Sequence, residues 1–270
     1  MSKIAKALER AQAERNAGSP TAFAVVHKPV RQALNSMSSG PVAVPKYNMT
    51  AVKPSSDKHK EANRVLHGVS NQSVKDSFNV LRTLLLQRTR TNGWNALMVT
   101  SPTRGNGKST VAINLAISIA RDASQTALLV DANLRWPSIA DTLGVDCERG
   151  LTDLLLENLE PPEVLVNPGI DKLVVLGAGR TVQETADLIG APSMQNLVLE
   201  MKHRYPDRYV VFDCPHVLDM PDTMMFASYV DGIVLVVEEG VTTKRELQTA
   251  MEMLGNANVV GVVLNKNTAQ

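Results

Sequence analysis

The sequence predicts an α/β fold, a mostly parallel sheet with helices on both faces. Three observations predict it. Short runs of almost unbroken Val, Leu and Ile, at 126–130, 208–212, 232–237 and 259–264, alternate with stretches of helical period. Runs that are apolar at every position are buried on both sides, as strands are in a parallel sheet layered between helices. A glycine-containing loop separates the apolar run Ala96-Leu97-Met98-Val99 from the helical pattern Val111, Ile113, Leu115, Ala116. Two further runs end in an acid, Asp131 and Asp213.

Taken in order, residues 2–16 place Ile4, Ala7, Leu8 and Ala11 at helical spacing among Lys3, Lys6, Glu9, Arg10, Glu14 and Arg15. This predicts an amphipathic docking helix over 1–17, with Ser2 as its N-cap. Residues 18–70 hold Pro20, Pro29, Pro41, Pro45 and Pro54 and a serine-rich run at 36–40, and read as a flexible linker. Residues 71–270 read as one nucleotide-binding domain. A helix is expected over 73–90, opened by a capping box of Ser73 and Asp76, with Val74, Phe78, Leu81, Leu84 and Leu85 as its apolar face. After the loop come a helix at 109–121, a strand at 126–130, a helix at 150–157 and a strand at 172–176. Helical patterns at 183–188 and 193–205 precede the strand at 208–212. A helix at 221–229, a strand at 232–237, a helix at 243–254 and a strand at 259–264 complete the series.

Composition narrows the function classes. The net charge of +1 gives no global field for nucleic acid or an anionic membrane. Two cysteines, Cys147 and Cys214, are too few for a disulfide framework, which points to a reducing compartment. No apolar run approaches the roughly 18 residues of a membrane span, so a cytoplasmic protein is expected.

The loop suits an anion. Gly105 and Gly107 let the backbone curl so that N–H groups converge, and the helix starting near Lys108 aims its positive end at the same point. Thr103, Arg104, Gly105, Asn106, Gly107, Lys108, Ser109 and Thr110 are the expected cradle, with Lys108 reaching the phosphates and the Ser109 hydroxyl suited to Mg²⁺. Pro102 stands where the strict pattern Gly-x4-Gly-Lys-Ser/Thr has its first glycine. Asp131 and Asp213, at strand ends facing the sheet's crevice, are placed to hold Mg²⁺ directly or through water. The plainer alternative for each is an acid that caps the next helix.

Residues 100–116, the segment Leu128-Leu-Val-Asp-Ala-Asn-Leu-Arg-Trp-Pro137 and the segment Tyr209-Val-Val-Phe-Asp-Cys-Pro215 resemble the Walker A, A′ and B segments of the bacterial protein tyrosine kinases. The likeness continues through Ala186-Asp187-Leu188, the strand from Asp231 to Val237, and Gly261-Val-Val-Leu-Asn-Lys266. The first ten residues look like the start of the branch associated with exosortase and exopolysaccharide operons. The resemblance implies a P-loop NTPase fold, ATP and Mg²⁺ as cofactors, and transfer of the γ-phosphoryl group to tyrosine. It implies that Lys108 contacts the phosphates, Ser109 and Asp213 the metal, and that Asp131 assists the metal or takes the acceptor's proton. It also implies a role in exopolysaccharide biosynthesis or export, with a membrane-embedded polysaccharide co-polymerase as partner through its cytoplasmic segment. The protein would then sit in the cytoplasm, peripheral to the inner membrane.

Departures from the family pattern set the alternatives. Asn133 stands for a second acid; Arg104 and Asn106 replace the usual Pro and Glu of the loop; His216 replaces a second Pro. Asp76-x2-Asn79-x2-Arg82 degrades the ring-assembly motif Glu-x2-Arg-x2-Arg, so a weakened homo-oligomer is expected. The tyrosines are Tyr47, Tyr205, Tyr209 and Tyr229, without a C-terminal cluster, and Tyr47 is the best-placed acceptor. A nucleotide-dependent switch, and less favourably a positioning ATPase, stand beside the kinase reading. Asn265 is expected to touch the base, adenine rather than guanine, because Thr268 lacks the carboxylate of the guanine-reading Asn-Lys-x-Asp.

Overall fold

The computed structural model describes residues 50–68, 71–157, 159–182, 184–205 and 207–267. The expected helix at 1–17 and the first part of the expected linker lie outside these residues. The described residues fall within one compact unit, Val42–Gln270.

Eight strands form one sheet: β1 (Ala51–Val52), β2 (Ala96–Thr100), β3 (Thr126–Asp131), β4 (Leu165–Asn167), β5 (Leu173–Leu176), β6 (Arg208–Asp213), β7 (Gly232–Glu238) and β8 (Val259–Asn265). Their spatial order is β1-β4-β5-β3-β6-β2-β7-β8, parallel throughout except where β4 meets β5. The helices are α1 (Asp57–Ala62), α2 (Gln72–Arg90), α3 (Lys108–Ala120), α4 (Ile139–Leu143), α5 (Leu151–Glu157), α6 (Thr185–Gly190), α7 (Pro192–His203), α8 (Pro221–Phe226) and α9 (Lys244–Leu254).

The two-residue period of the strands divides the core. Leu97, Val99, Leu129, Val211 and Val234 face one side, against α2, α3 and α4. Met98, Leu128, Val130, Phe212 and Leu235 face the other, against Leu151 of α5, Met194 and Val198 of α7, Phe226 of α8 and Leu247 of α9. Both faces are covered, so β2, β3 and β6 are buried at almost every position, as their unbroken apolar runs require.

Three expectations need correction. The linker does not extend to residue 70, because residues 51–66 pack on the domain. β1 pairs with β4, Ser56 caps α1, and Val65 and Leu66 are fully buried. Asn114, on the buried side of α3, accepts from Leu66 N at 2.7 Å and donates to Arg64 O at 3.0 Å. One buried amide thus ties the end of this stretch to α3, and proline-rich composition hid the docking. Ser73 does not open α2: Asn71 caps it by accepting from Ser73 N, while Asp76 accepts from the Gln72 amide. Leu84 is 54% exposed, and Leu86 takes its place in the core beside Leu85. With Leu at three successive positions, periodicity alone could not choose between them.

Candidate active site

The sheet order brings three loops to one edge, those following β3, β6 and β2, which are neighbours in the sheet. Their first hydrogen bonds are shared: Cys214 N donates to Val99 O and Ala132 N to Asp213 O. This is the carboxyl-end crevice where open α/β sheets bind ligands.

The phosphate loop runs from Ser101 to Gly107, where α3 begins. Gly105 and Gly107 have φ of 92° and 85°, conformations that a side chain would strain. The loop is braced from the opposite flank, by β8. Asn265 Nδ2 donates to Asn106 O at 2.8 Å, and Lys266 Nζ donates to Gly105 O at 3.0 Å and to Glu238 Oε2 at 2.9 Å. A trans peptide points its carbonyl and the following N–H in opposite directions. Tying down the carbonyls of Gly105 and Asn106 therefore turns the N–H groups of Asn106 and Gly107 away from those braces. A Cβ on Gly107 would run into Asn265 Nδ2, so the glycine is needed for the brace as well as for the turn.

Asn106 is the loop's internal strut. It is buried, its Oδ1 accepts from both Thr103 N and Thr103 Oγ1 at 3.1 Å, and its Nδ2 donates to Thr242 Oγ1 at 3.2 Å. Thr242 and Lys266 are site-bracing residues absent from the expected cradle. Lys266 belonged to a quoted motif, whereas nothing in the sequence marks Thr242.

Lys108 Nζ donates to Ser109 Oγ at 3.2 Å and stands 3.7 Å from Asp213 Oδ1. Asp213 is fully buried, and neither carboxylate oxygen has a hydrogen-bond partner. Burial pushes its pKa above the usual carboxylate range, against the pull of the Lys108 charge and the nearby Ser109 hydroxyl, which lie close to the carboxylate without forming a well-aligned hydrogen bond to it. Asn133 Oδ1 is likewise buried without a partner, while its Nδ2 donates to Trp136 O. The Asp213 carboxylate, the Ser109 hydroxyl and the Asn133 carbonyl on the neighbouring loop are hard oxygen donors, the kind that Mg²⁺ takes. No group of three or more His, Cys, Asp or Glu able to hold a metal exists among the described residues. Mg²⁺ bound mainly through water and phosphate needs no such cage.

Asp131 is arranged differently. Its Oδ1 accepts from Asn133 N, and its Oδ2 from Ser138 N at 2.9 Å and Ile139 N at 3.0 Å. It caps α4, the plainer alternative weighed for it, and the orphaned oxygen on this loop is Asn133's. Burial and the neighbouring Asp213 push the Asp131 pKa up to about 7, opposed by those three N–H donors. Arg135, four residues on, holds buried Asp222 at the start of α8 at 2.9 Å, and Thr185 of α6 donates to the same carboxylate at 2.7 Å. Burial alone would raise the Asp222 pKa, but these two partners hold it below the usual range. The loop after β3 is thereby anchored at both ends.

Of the expected cradle, Thr103, Asn106, Gly107 and Lys108 through Thr110 gather at the loop and the start of α3. Arg104 and Gly105 are exposed at its tip. Asn265 lies against the loop backbone.

A family model described as ParA, NUBPL iron-transfer P-loop NTPase, matches residues 94–270. Tyrosine-protein kinase YwqD of Bacillus subtilis is 31% identical over 172 residues, which are 63% of this chain and 71% of that protein. Succinoglycan biosynthesis transport protein ExoP of Rhizobium meliloti is 31% identical over 175 residues, 63% of this chain but 22% of that much longer protein. Among solved structures, the VpsO kinase domain aligns with a TM-score of 0.65 at 27% identity, over 73% of this chain and 97% of that one. With its ParA-type P-loop and its three strand-end loops, the chain belongs to the bacterial tyrosine-protein kinase family.

Proposed function

We propose that the chain is an ATP- and Mg²⁺-dependent tyrosine kinase that regulates exopolysaccharide biosynthesis or export. The observation that carries the chemistry is the Asp213 carboxylate, fully buried with neither oxygen in a well-formed hydrogen bond, beside Lys108 and Ser109 at the mouth of the loop. A native fold leaves such a group uncompensated when a ligand completes it. Lys108 and the loop N–H groups hold the phosphates. Asp213 and Ser109, joined by Asn133, hold Mg²⁺, which when bound offsets phosphate charge. Asp131, with a pKa of about 7, has the proton affinity asked of a base at neutral pH, and its negative charge assists the metal side. Asn265 steadies the loop and lies on the flank where a base would enter.

The link to polysaccharide rests on the likeness to ExoP, and the proposed partner is the cytoplasmic segment of a membrane-embedded polysaccharide co-polymerase. No helix among the described residues is long and apolar enough to cross a membrane. In this reading the partner brings the chain to the inner membrane from the cytoplasm.

A second reading, a nucleotide-dependent switch with little autophosphorylation, is favoured by the tyrosines. Tyr209 is buried with its hydroxyl bonded to Thr89 Oγ1 at 2.8 Å, Tyr229 packs edge-on against Phe226, and Arg208 lies 4.0 Å over the Tyr205 ring. Tyr47 lies outside the described residues. Phosphopeptide mapping after incubation with Mg·ATP, with and without the co-polymerase segment, separates the two. Phosphotyrosine in the wild type and none in Lys108→Ala supports the kinase. Nucleotide binding without phosphotyrosine on this chain or its partner supports the switch, and no nucleotide binding in calorimetry overturns both.

A further inference from the structure

Two contacts through one ring join all three strand-end loops. Arg104 leaves the tip of the phosphate loop and lays its guanidinium carbon 4.9 Å from the centroid of the Trp136 ring, in the loop after β3. Trp136 stacks in turn with His216, in the loop after β6, at 6.1 Å and 25° between planes. Asn265 and Lys266 hold the phosphate loop from the β8 flank, so Arg104 leans to the other flank, where Asp213 and the Asn133 carbonyl lie.

The charges around this stack are unbalanced. Lys108 faces Asp213, and Lys266 faces Glu238, but Arg104 is exposed and makes no salt bridge among the described residues. His216 adds no compensating charge. Burial, then Lys108, and more weakly Arg104, push its pKa down against the pull of Asp219, which keeps the ring neutral. A cation on an exposed aromatic face is held more weakly than one hydrogen-bonded to a phosphate oxygen. Arg104 is therefore placed beside an anion site with a partner it can leave.

We infer that Arg104 reads the terminal phosphoryl group of the nucleotide, with Trp136 as its alternative partner, so that the Arg104–Trp136 pair distinguishes triphosphate from diphosphate. This rests on the phosphate-loop reading above. The α- and β-phosphates belong to the loop N–H groups and Lys108. A terminal phosphoryl group extends toward the metal-side oxygens, the flank on which Arg104 stands. An arginine there binds bidentately, which an ammonium cannot reproduce. Leaving Trp136 also uncovers the ring that faces the mouth of the site, which converts nucleotide state into a surface change.

The full chain carrying Trp94→Phe leaves Trp136 as its one tryptophan. Its emission is expected to change on adding the Mg²⁺ complex of β,γ-imido-ATP and to stay as it was with Mg·ADP. Adding Arg104→Ala should abolish that change. In calorimetry, Arg104→Ala should weaken the imido analogue about tenfold and ADP less than about twofold, the scale of one charged hydrogen-bonding group lost from one ligand only. Equal weakening of both nucleotides would overturn the inference, making Arg104 a residue of loop shape. Unchanged affinity for both, or a Trp136 response to ADP as large as to the analogue, would overturn it as well. Should the parent chain bind neither nucleotide, the phosphate-loop reading fails first and this inference falls with it.

Discussion

Replacing Asp213 by Asn should stabilise the protein while disabling it. The carboxylate is 0% exposed, and neither oxygen makes a well-formed hydrogen bond, with the Lys108 ammonium at 3.7 Å and the neighbouring Ser109 hydroxyl offsetting its charge only in part. A buried polar group left unsatisfied costs about 1–3 kcal/mol, and more when charged. The Asn variant removes the charge but introduces an amide N–H₂ and leaves Lys108 without its acid, so a net gain of about 1–2 kcal/mol is expected. For a domain of this size each kcal/mol moves Tm by about 2–4 °C, which gives a rise of about 2–8 °C without ligand. The pH dependence carries a matching sign. Asp213 and Asp131 have folded pKa values above the ordinary aspartate value, Asp131 at about 7. Between the unfolded and folded values the native state binds more protons than the unfolded chain, so stability falls as pH rises through that window. Asp213→Asn should flatten this fall. Thermal unfolding at pH 5 and 7.5, with and without saturating Mg·ADP, tests both halves. At one hundred times Kd the wild type should gain about 2.7 kcal/mol from the ligand, and the variant should gain little. A variant less stable than the wild type without ligand, or one that keeps the full Mg·ADP shift, would refute the reasoning that Asp213 is strained for the sake of a metal.

Three further outcomes are expected. Asn265→Ala frees the Asn106 carbonyl and should weaken ATP about three- to tenfold in calorimetry, the loss of one neutral hydrogen bond, and lower Tm by about 2–4 °C. GTP should compete poorly against ATP in displacement binding, because Asn265-Lys266-Asn267-Thr268 offers no carboxylate and the first two residues are already bonded to the phosphate loop. Self-assembly should be weak: Arg82 Nη1 donates to Ser118 O at 2.8 Å within the same chain and Asp76 is engaged by Gln72, so a stable octamer at micromolar concentration in sedimentation would contradict this.

What was legible in the sequence followed from burial and period. The strands at 126–131, 208–213 and 232–238 needed only their unbroken apolar runs, and the loop needed only two glycines and a lysine between a strand and a helix. The short elements were not legible. β1 and β4 are two and three residues long, too short for any period, and α4 is five residues whose start is fixed by the Asp131 carboxylate rather than by its own sequence. The site divided along the same line. Lys108, Ser109 and Asp213 announced themselves by local spacing. Thr242, the α4-capping role of Asp131 and the Arg104–Trp136–His216 stack depend on residues brought together from different loops, and no local pattern carries that information.

The brace on the phosphate loop has a consequence for synthesis. The bonds from Asn265 to Asn106 and from Lys266 to Gly105 span 159 and 161 residues of sequence. A chain emerging from the ribosome exposes Gly105 to Ser109 early, and carries Asp131 and Asp213 long before β8 exists. Such contacts, distant in sequence, form late and slowly. Until β8 docks beside β7, the carbonyls of Gly105 and Asn106 have no anchors and the loop has no fixed hollow to offer. A fragment ending before residue 259 keeps every side chain proposed to hold phosphate or metal but lacks the brace, and should bind ATP far more weakly than the chain that contains β8. By this reasoning β8, rather than the residues proposed to touch ligand, sets the moment at which the loop becomes competent.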